Sequence, residues 1–264
     1  MAKHFFLAAL SSLVLLGTMA EPLAAQEADL GAQPIFSDGF ENGDLCAWET
    51  GLACLDDDFD DGVIQAWNFY RPEDAAILET GGELRLEPVA NSLWFQGSSS
   101  VLLWKPVTGD FKVTAAVVTR RLPPNDTEPP LVAFRLGGIM ARDGAAAEGE
   151  DYVFVVLGAD HDAVSVEAKS TDNSQSTFDG APVVAGGEAE LRLCRLGAEF
   201  RFYYRAPGGA WQAHSVIPAV TRPDLPATLQ VGPLAYANQA NPDLRVSYDW
   251  ITFEPLSDFM ECLQ

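Results

Sequence analysis

Basic residues are scarce in this sequence: 16 Lys and Arg stand against 38 Asp and Glu, a formal balance of −22 over 264 residues. No basic cluster is longer than the pair Arg120-Arg121. Such a chain repels phosphate backbones and anionic headgroups, which all but excludes nucleic acid as a partner. Long apolar runs are missing as well. The run that begins at Phe5 ends at Leu16, short of the ~20 residues that a membrane span requires, so no membrane insertion is expected. Histidine is rare, with His161 and His214 the only ones beyond residue 4, and no CxxC occurs, so the spacing of a cysteine zinc site is absent. Helical periodicity is almost lacking, and no GxSxG marks a serine nucleophile.

What is present suits a folded, acidic, β-rich protein. Hydrophobic residues make up 48% and charged residues 20%, enough apolar side chain for a sizeable core, and a length that suits one large all-β domain or two small ones. Residues 1–20 carry Lys3, an apolar core and small residues at Gly17, Thr18 and Ala20, the pattern of a secretory signal peptide with cleavage after Ala20 or Ala25. Residues 21–34 are small and polar and are expected to form a linker. Cys46, Cys54, Cys194 and Cys262 all follow the cleavage sites, and an oxidising compartment favours two disulfides. Of the three connectivities, Cys46–Cys54 and Cys194–Cys262 are preferred: a local loop, and a C-terminal tail (257–264) tied back to a strand.

Alternation and β-branched or aromatic enrichment predict strands over 83–88, 99–104, 111–119, 131–135, 139–142, 152–157, 163–169, 189–196, 199–205, 227–232 and 244–254. Turn residues such as Gly81-Gly82, Gly109-Asp110, Gly186-Gly187 and Gly208-Gly209 separate them. About eleven strands joined by hairpins argue for a β-sandwich. Parity assigns faces: Leu191, Leu193, Phe200, Phe202 and Tyr204 on one side, Arg192, Cys194, Arg201, Tyr203 and Arg205 on the other. The segment 152–157 is apolar on both parities, which predicts a central strand covered on both faces.

Two resemblances follow from these residues. Ile35-Phe36-Ser37-Asp38-Gly39-Phe40-Glu41-Asn42-Gly43-Asp44 with Trp48 resembles the short "FSDGFE-GD-W" segment that follows the signal peptide in many exported bacterial proteins, and it defines a short unit over 35–54. Across 55–256, Asp57-Asp58-Phe59, Thr108-Gly109-Asp110-Phe111, Gly138-Ile139-Met140-Ala141-Arg142 and the closing Tyr248-Asp249-Trp250-Ile251 resemble the concanavalin-A-like (laminin-G-like) jelly roll. The similarity is to the uncharacterised bacterial branch related to the C-terminal module of family 43 glycosidases. It implies two packed antiparallel sheets, one of them concave, and a frequent role in glycan recognition.

A sugar site needs flat aromatic faces and planar hydrogen-bonding groups, and Trp94, Trp104, Arg142, Tyr203 and Trp211 are the candidates, with core packing as the competing use of each. Asp57 and Asp58, with Asp249 approaching if first and last strands pair, could hold a structural calcium through hard oxygen ligands; a solvated acidic loop is the alternative. The Glu-x-Asp-x-x-Glu strand of laminarinase-like relatives is absent, so no catalytic residue is assigned. The leading expectation is an exported, non-catalytic lectin-like protein, periplasmic, surface-bound or secreted, that binds polysaccharide or glycoconjugate on a concave sheet. The alternatives are a structural or adhesive envelope protein with a protein partner and, behind it, a glycoside hydrolase or polysaccharide lyase.

Overall fold

The computed structural model describes residues 51–161 and 163–264. The signal peptide, the linker and the 35–54 unit up to residue 50, Cys46 included, lie outside the described residues. Fifteen strands follow in order: β1 (Asn68–Tyr70), β2 (Ala75–Glu79), β3 (Leu84–Pro88), β4 (Val101–Thr108), β5 (Phe111–Arg120), β6 (Arg135–Arg142), β7 (Tyr152–Ala159), β8 (Val164–Asp172), β9 (Gln175–Val183), β10 (Glu188–Leu196), β11 (Glu199–Arg205), β12 (Gln212–Ala213), β13 (Ala219–Thr221), β14 (Thr228–Ala237) and β15 (Arg245–Pro255). Among the described residues the only helical pieces are short 3-10 turns. The strands form two antiparallel sheets, one of seven in the order β1-β4-β14-β6-β7-β8-β9, the other built on β12-β11-β10-β5-β15-β3-β2 with β13 beside β11. This is the β-sandwich jelly roll expected from the sequence.

The core lies between the sheets and is filled by one parity of each strand. Phe111, Val113, Ala115 and Val117 of β5 meet Val153, Val155 and Leu157 of β7, with Leu191, Leu193, Phe200 and Phe202 in the same cluster. The parity read from the sequence therefore holds. Tyr248 crosses from β15 and places its buried hydroxyl 2.6 Å from the Leu234 carbonyl oxygen and 3.0 Å from that of Gly138 in the opposite sheet. Gly138 must be glycine for this approach, because a Cβ there would lie 2.7 Å from Val156 Cα and 2.9 Å from Leu191 Cδ1.

Several strand expectations change, and the short β2, β12 and β13 also lie outside the ranges predicted from the sequence. Residues 131–134 are not a strand, since Phe134 takes a left-handed backbone (φ 59°) and β6 starts only at Arg135. β9 escaped notice because it is polar and carries Gly180 and Pro182; such residues are tolerated at the edge of a sheet, which is where β9 lies. β15 contains a bulge between Tyr248 and Trp250, so Val246 and Tyr248 point inward before it and Ile251 and Phe253 after it.

The C-terminal segment is pinned to the outer face of the second sheet. Cys194 and Cys262 form a disulfide, and Cys54 is disulfide-bonded as well. The buried Arg192 donates to Thr114 Oγ1 at 3.0 Å and to the Cys262 carbonyl oxygen at 2.7 Å. No helix among the described residues is long and apolar enough to cross a membrane.

Candidate functional site

The outer face of the seven-stranded sheet is apolar where a soluble sandwich would be polar. β7 contributes Tyr152, Phe154 and Val156, β6 Leu136 and Met140, and β14 Leu234 and Tyr236, all buried. The segment 89–100 covers them. Ser92 pairs through its backbone with Ala237, Trp94 is fully buried and donates from Nε1 to the Val101 carbonyl oxygen at 3.3 Å, and the Gln96 amide donates to Ser176 Oγ at 2.8 Å.

On one side of Trp94 the face is closed. The guanidinium of Arg142 lies 4.1 Å from the ring centre of Tyr70 and 5.9 Å from that of Trp94, and it donates to Glu150 Oε2 at 2.8 Å and Gln230 Oε1 at 2.7 Å. On the other side a cavity of about 290 Å³ remains open. Its walls are Leu93, Phe95, Phe134, Phe178 and Tyr236, and Trp94 also lines it. Phe95 from the covering segment meets Phe178 of β9 edge to face, with ring centres 5.6 Å apart.

Glu167 and Lys169 form the floor, and the exposed Asn238 stands at the mouth. Glu167 and Lys169 share a parity on β8 opposite to that of the core residues Val166 and Ala168, so the cover has buried them. Lys169 Nζ is 3.0 Å from Glu167 Oε1, donates to the Trp94 carbonyl oxygen at 2.9 Å, and lies 4.7 to 5.8 Å from the centres of the Phe154, Phe178, Phe95 and Tyr236 rings. Tyr236 donates its hydroxyl to Glu167 Oε1 at 3.3 Å. Burial pushes the Glu167 carboxyl above its usual range and the Lys169 ammonium below its own; each partner's charge opposes that shift. An apolar cavity with a few converging polar groups of perturbed acidity is the arrangement expected of a ligand site.

The residues singled out from the sequence are scattered. Trp94 lines the cavity. Trp104 packs partly buried on the same face, and Arg142 belongs to the closed side. Tyr203 and Trp211 lie on the outer face of the other sheet, in the cluster around Cys194 and Cys262, with Arg192 stacked 3.8 Å from the Trp211 ring centre. These five therefore do not form one groove. Phe95, Phe134, Phe178, Tyr236, Glu167 and Lys169 were missed. One signal pointed to the last two: β7 is apolar on both faces, so outward residues of a neighbouring strand must also meet a cover.

The three aspartates do not form one calcium site either. Asp57 pairs by backbone with Ile251, as the first-to-last-strand reading requires. Its carboxylate, however, accepts from Trp67 Nε1 at 2.7 Å and the Phe59 amide at 3.0 Å, with Lys105 Nζ 3.8 Å away. Asp58 lines the same cleft, while Asp249, displaced by the bulge, lines a different one with Glu83, Glu188 and Glu190. Among the described residues, the three acidic groups that do converge within 4.8 Å are Asp151, Asp172 and Asp224, and Arg222 is ion-paired with two of them, 2.9 Å from Asp151 and 2.6 Å from Asp224.

Solved structures share this fold. A functionally unknown protein from Saccharomyces cerevisiae superposes with a TM-score of 0.56 at 16% identity, covering 74% of this chain and 99% of that one. The GH43 protein BlXynB from Bacillus licheniformis gives 0.57 at 15% identity, covering 76% of this chain and 39% of that one, so the chain spans well under half of that protein. Basic winged bean lectin, in a structure with Tn-antigen, gives 0.50 at 16% identity over 75% and 95% of the two chains. No family model matches the chain, and a search of curated proteins finds no match. At such identities the likeness is one of fold: the chain is a concanavalin-A-like sandwich.

Proposed function

We propose that this protein is an exported, non-catalytic, lectin-like protein that binds a polysaccharide or glycoconjugate at the aromatic cavity on the outer face of its seven-stranded sheet. The observation that carries the reading is the cavity itself: about 290 Å³, walled by aromatic rings with Glu167 and Lys169 at its floor. Aromatic faces take the apolar side of saccharides and fixed polar groups orient them. A lectin and GH43 proteins are among the chains with the same fold. Export rests on the signal-peptide pattern of residues 1–20 and on the cysteine pairing. The non-catalytic reading rests on the lining: among the described residues Glu167 is the carboxylate that lines the cavity, and the buried Asp160 lies within hydrogen-bond reach of it, whereas glycoside hydrolysis uses two carboxyls held apart across the scissile bond.

The test is thermal unfolding of the oxidised protein against a panel of plant and bacterial polysaccharides, together with a glycan array. A ligand at 100 times its Kd adds about 2.7 kcal/mol of stability and raises the midpoint. The rise is expected to vanish in Phe178→Ala. An array and a panel that both stay empty would refute the proposal and put the structural or adhesive role in its place.

A further inference from the structure

The lining of the cavity decides which part of a saccharide can enter it, and this step rests on the saccharide reading above. A pyranose carries hydroxyls around its whole rim, and each one buried without a partner costs about 1–3 kcal/mol. The cavity has little to offer them. Glu167 Oε1 already accepts from Lys169 and Tyr236, which leaves Oε2, on a carboxyl that also interacts with Asp160, and Lys169 has committed two of its three N–H groups, to Glu167 and to the Trp94 carbonyl oxygen. One ammonium N–H at the floor and the Asn238 amide at the mouth remain as donors.

Size and shape favour a flat apolar group instead. An apolar cavity of about 150 Å³ accommodates benzene. The present one, about 290 Å³, has room for an aromatic ring together with a short polar link. Phe95 and Phe178, already edge to face with centres 5.6 Å apart, provide the faces and edges that a further ring packs against. Outside the cavity, on the other side of Leu93, lies a cleft of about 360 Å³ lined by Arg71, Asn91, Ser92, Ser98 and Ser99. Leu93 lines both, so an apolar socket and a polar cleft adjoin.

We propose that the cavity is a socket for a phenolic substituent carried on a saccharide, as an aryl ester or an aryl glycoside. The ring inserts between Phe95, Phe134, Phe178 and Tyr236, and its hydroxyl accepts the remaining N–H of Lys169 and donates to Glu167 Oε2. The ester or glycosidic link meets Asn238 at the mouth, and the sugar stays outside over the polar cleft. No bond is made or broken.

Calorimetry with the full mature chain tests this, using 4-hydroxyphenyl, phenyl and methyl glucosides, free phenol, and a hydroxycinnamoylated polysaccharide before and after saponification. The expected order is 4-hydroxyphenyl above phenyl above methyl glucoside, with ~10-fold or more between aryl and methyl and a similar loss on saponification. Saturation-transfer NMR should place the strongest contacts on the ring protons. Phe178→Ala on the edge strand, and independently Phe95→Ala, should abolish the preference for the aryl group while circular dichroism shows the fold retained. The two esterified and glycosidic arms separate the two sources of the ring. Methyl glucoside or saponified polysaccharide binding as tightly as the aryl forms would overturn the inference and leave the saccharide reading standing. Phenol binding as tightly as its glucoside would overturn the saccharide reading and this inference with it, whereas binding of no probe would overturn this inference alone and leave the saccharide reading to the array and the panel. Unchanged aryl preference in both folded variants would place the ring elsewhere and overturn the inference alone.

Discussion

Removing the ammonium of Lys169 should be among the most damaging single changes available on the outer face of the seven-stranded sheet. The Lys169 and Glu167 side chains are 4% and 1% exposed, and they sit 3.0 Å apart. Breaking a buried pair by deleting one partner costs about 3–5 kcal/mol, because the survivor is left desolvated and uncompensated. Lys169→Met should therefore cost about that much near neutral pH. Glu167→Gln should cost less, about 1.5–3 kcal/mol, since an amide oxygen still accepts from Lys169 and Tyr236 and the surrounding rings still face the cation. The double variant Glu167→Gln/Lys169→Met should cost less than the sum of the two single losses. The sign of the pH dependence follows from burial, which already raises the Glu167 carboxyl while Lys169 opposes that shift. Without that opposing charge the folded carboxyl holds its proton more strongly than the unfolded one, so Lys169→Met gains stability as the pH is lowered from neutral toward the ordinary carboxylate range. Urea unfolding at a series of pH values measures all four proteins. A loss under about 1 kcal/mol for Lys169→Met, with no dependence on pH, would refute the claim that the cavity floor is desolvated.

Three further outcomes follow from other parts of the molecule. His214 is buried, with Nδ1 accepting from the Ile217 amide at 3.0 Å and Nε2 donating to the Val166 carbonyl oxygen at 3.1 Å, and burial holds its pKa below the ordinary 6.5. The unfolded chain therefore binds the extra proton first, stability falls as the pH drops below that value, and His214→Gln should flatten this part of a stability–pH profile. The Cys194–Cys262 disulfide closes a sequence separation of 68, so Cys194→Ala/Cys262→Ala should lose about 4 kcal/mol in the chain-entropy account and loosen the cover over Trp211, read by urea unfolding and by tryptophan emission. Gly158 on β7 has φ 148°, and a Cβ there would fall on the Arg135 carbonyl oxygen of β6, so Gly158→Ala should cost about 3 kcal/mol or more in the same unfolding experiment.

Local chemistry made much of the architecture legible. Period-two alternation separates Leu191 and Leu193 from Arg192 and Cys194, and it does so because each strand residue reverses the direction of its side chain. The doubly apolar run in β7 announced a cover over the outer face, and the buried rings of Trp94, Tyr152 and Phe154 show what that cover meets. The Cys194–Cys262 pairing was readable from a strand residue and a tail residue in an oxidising context. By contrast, the extra residue at the β15 bulge sent Asp249 away from Asp57, and alternation carries no notice of a bulge.

The amino-acid order alone settles that the chain is an acidic β-sandwich and which residues face its core, because charge and alternation are properties read a few residues at a time. The position of the aromatic cavity depends on the tertiary arrangement. Phe95 and Phe134 come from irregular segments, Phe178 from an edge strand, and Glu167, Lys169 and Tyr236 from β8 and β14, which are not neighbours in the sheet. What brings them together is the docking of the segment 89–100 onto the sheet, through contacts such as Lys169 with the Trp94 carbonyl oxygen and Gln96 with Ser176, between residues 75 and 80 positions apart in the chain.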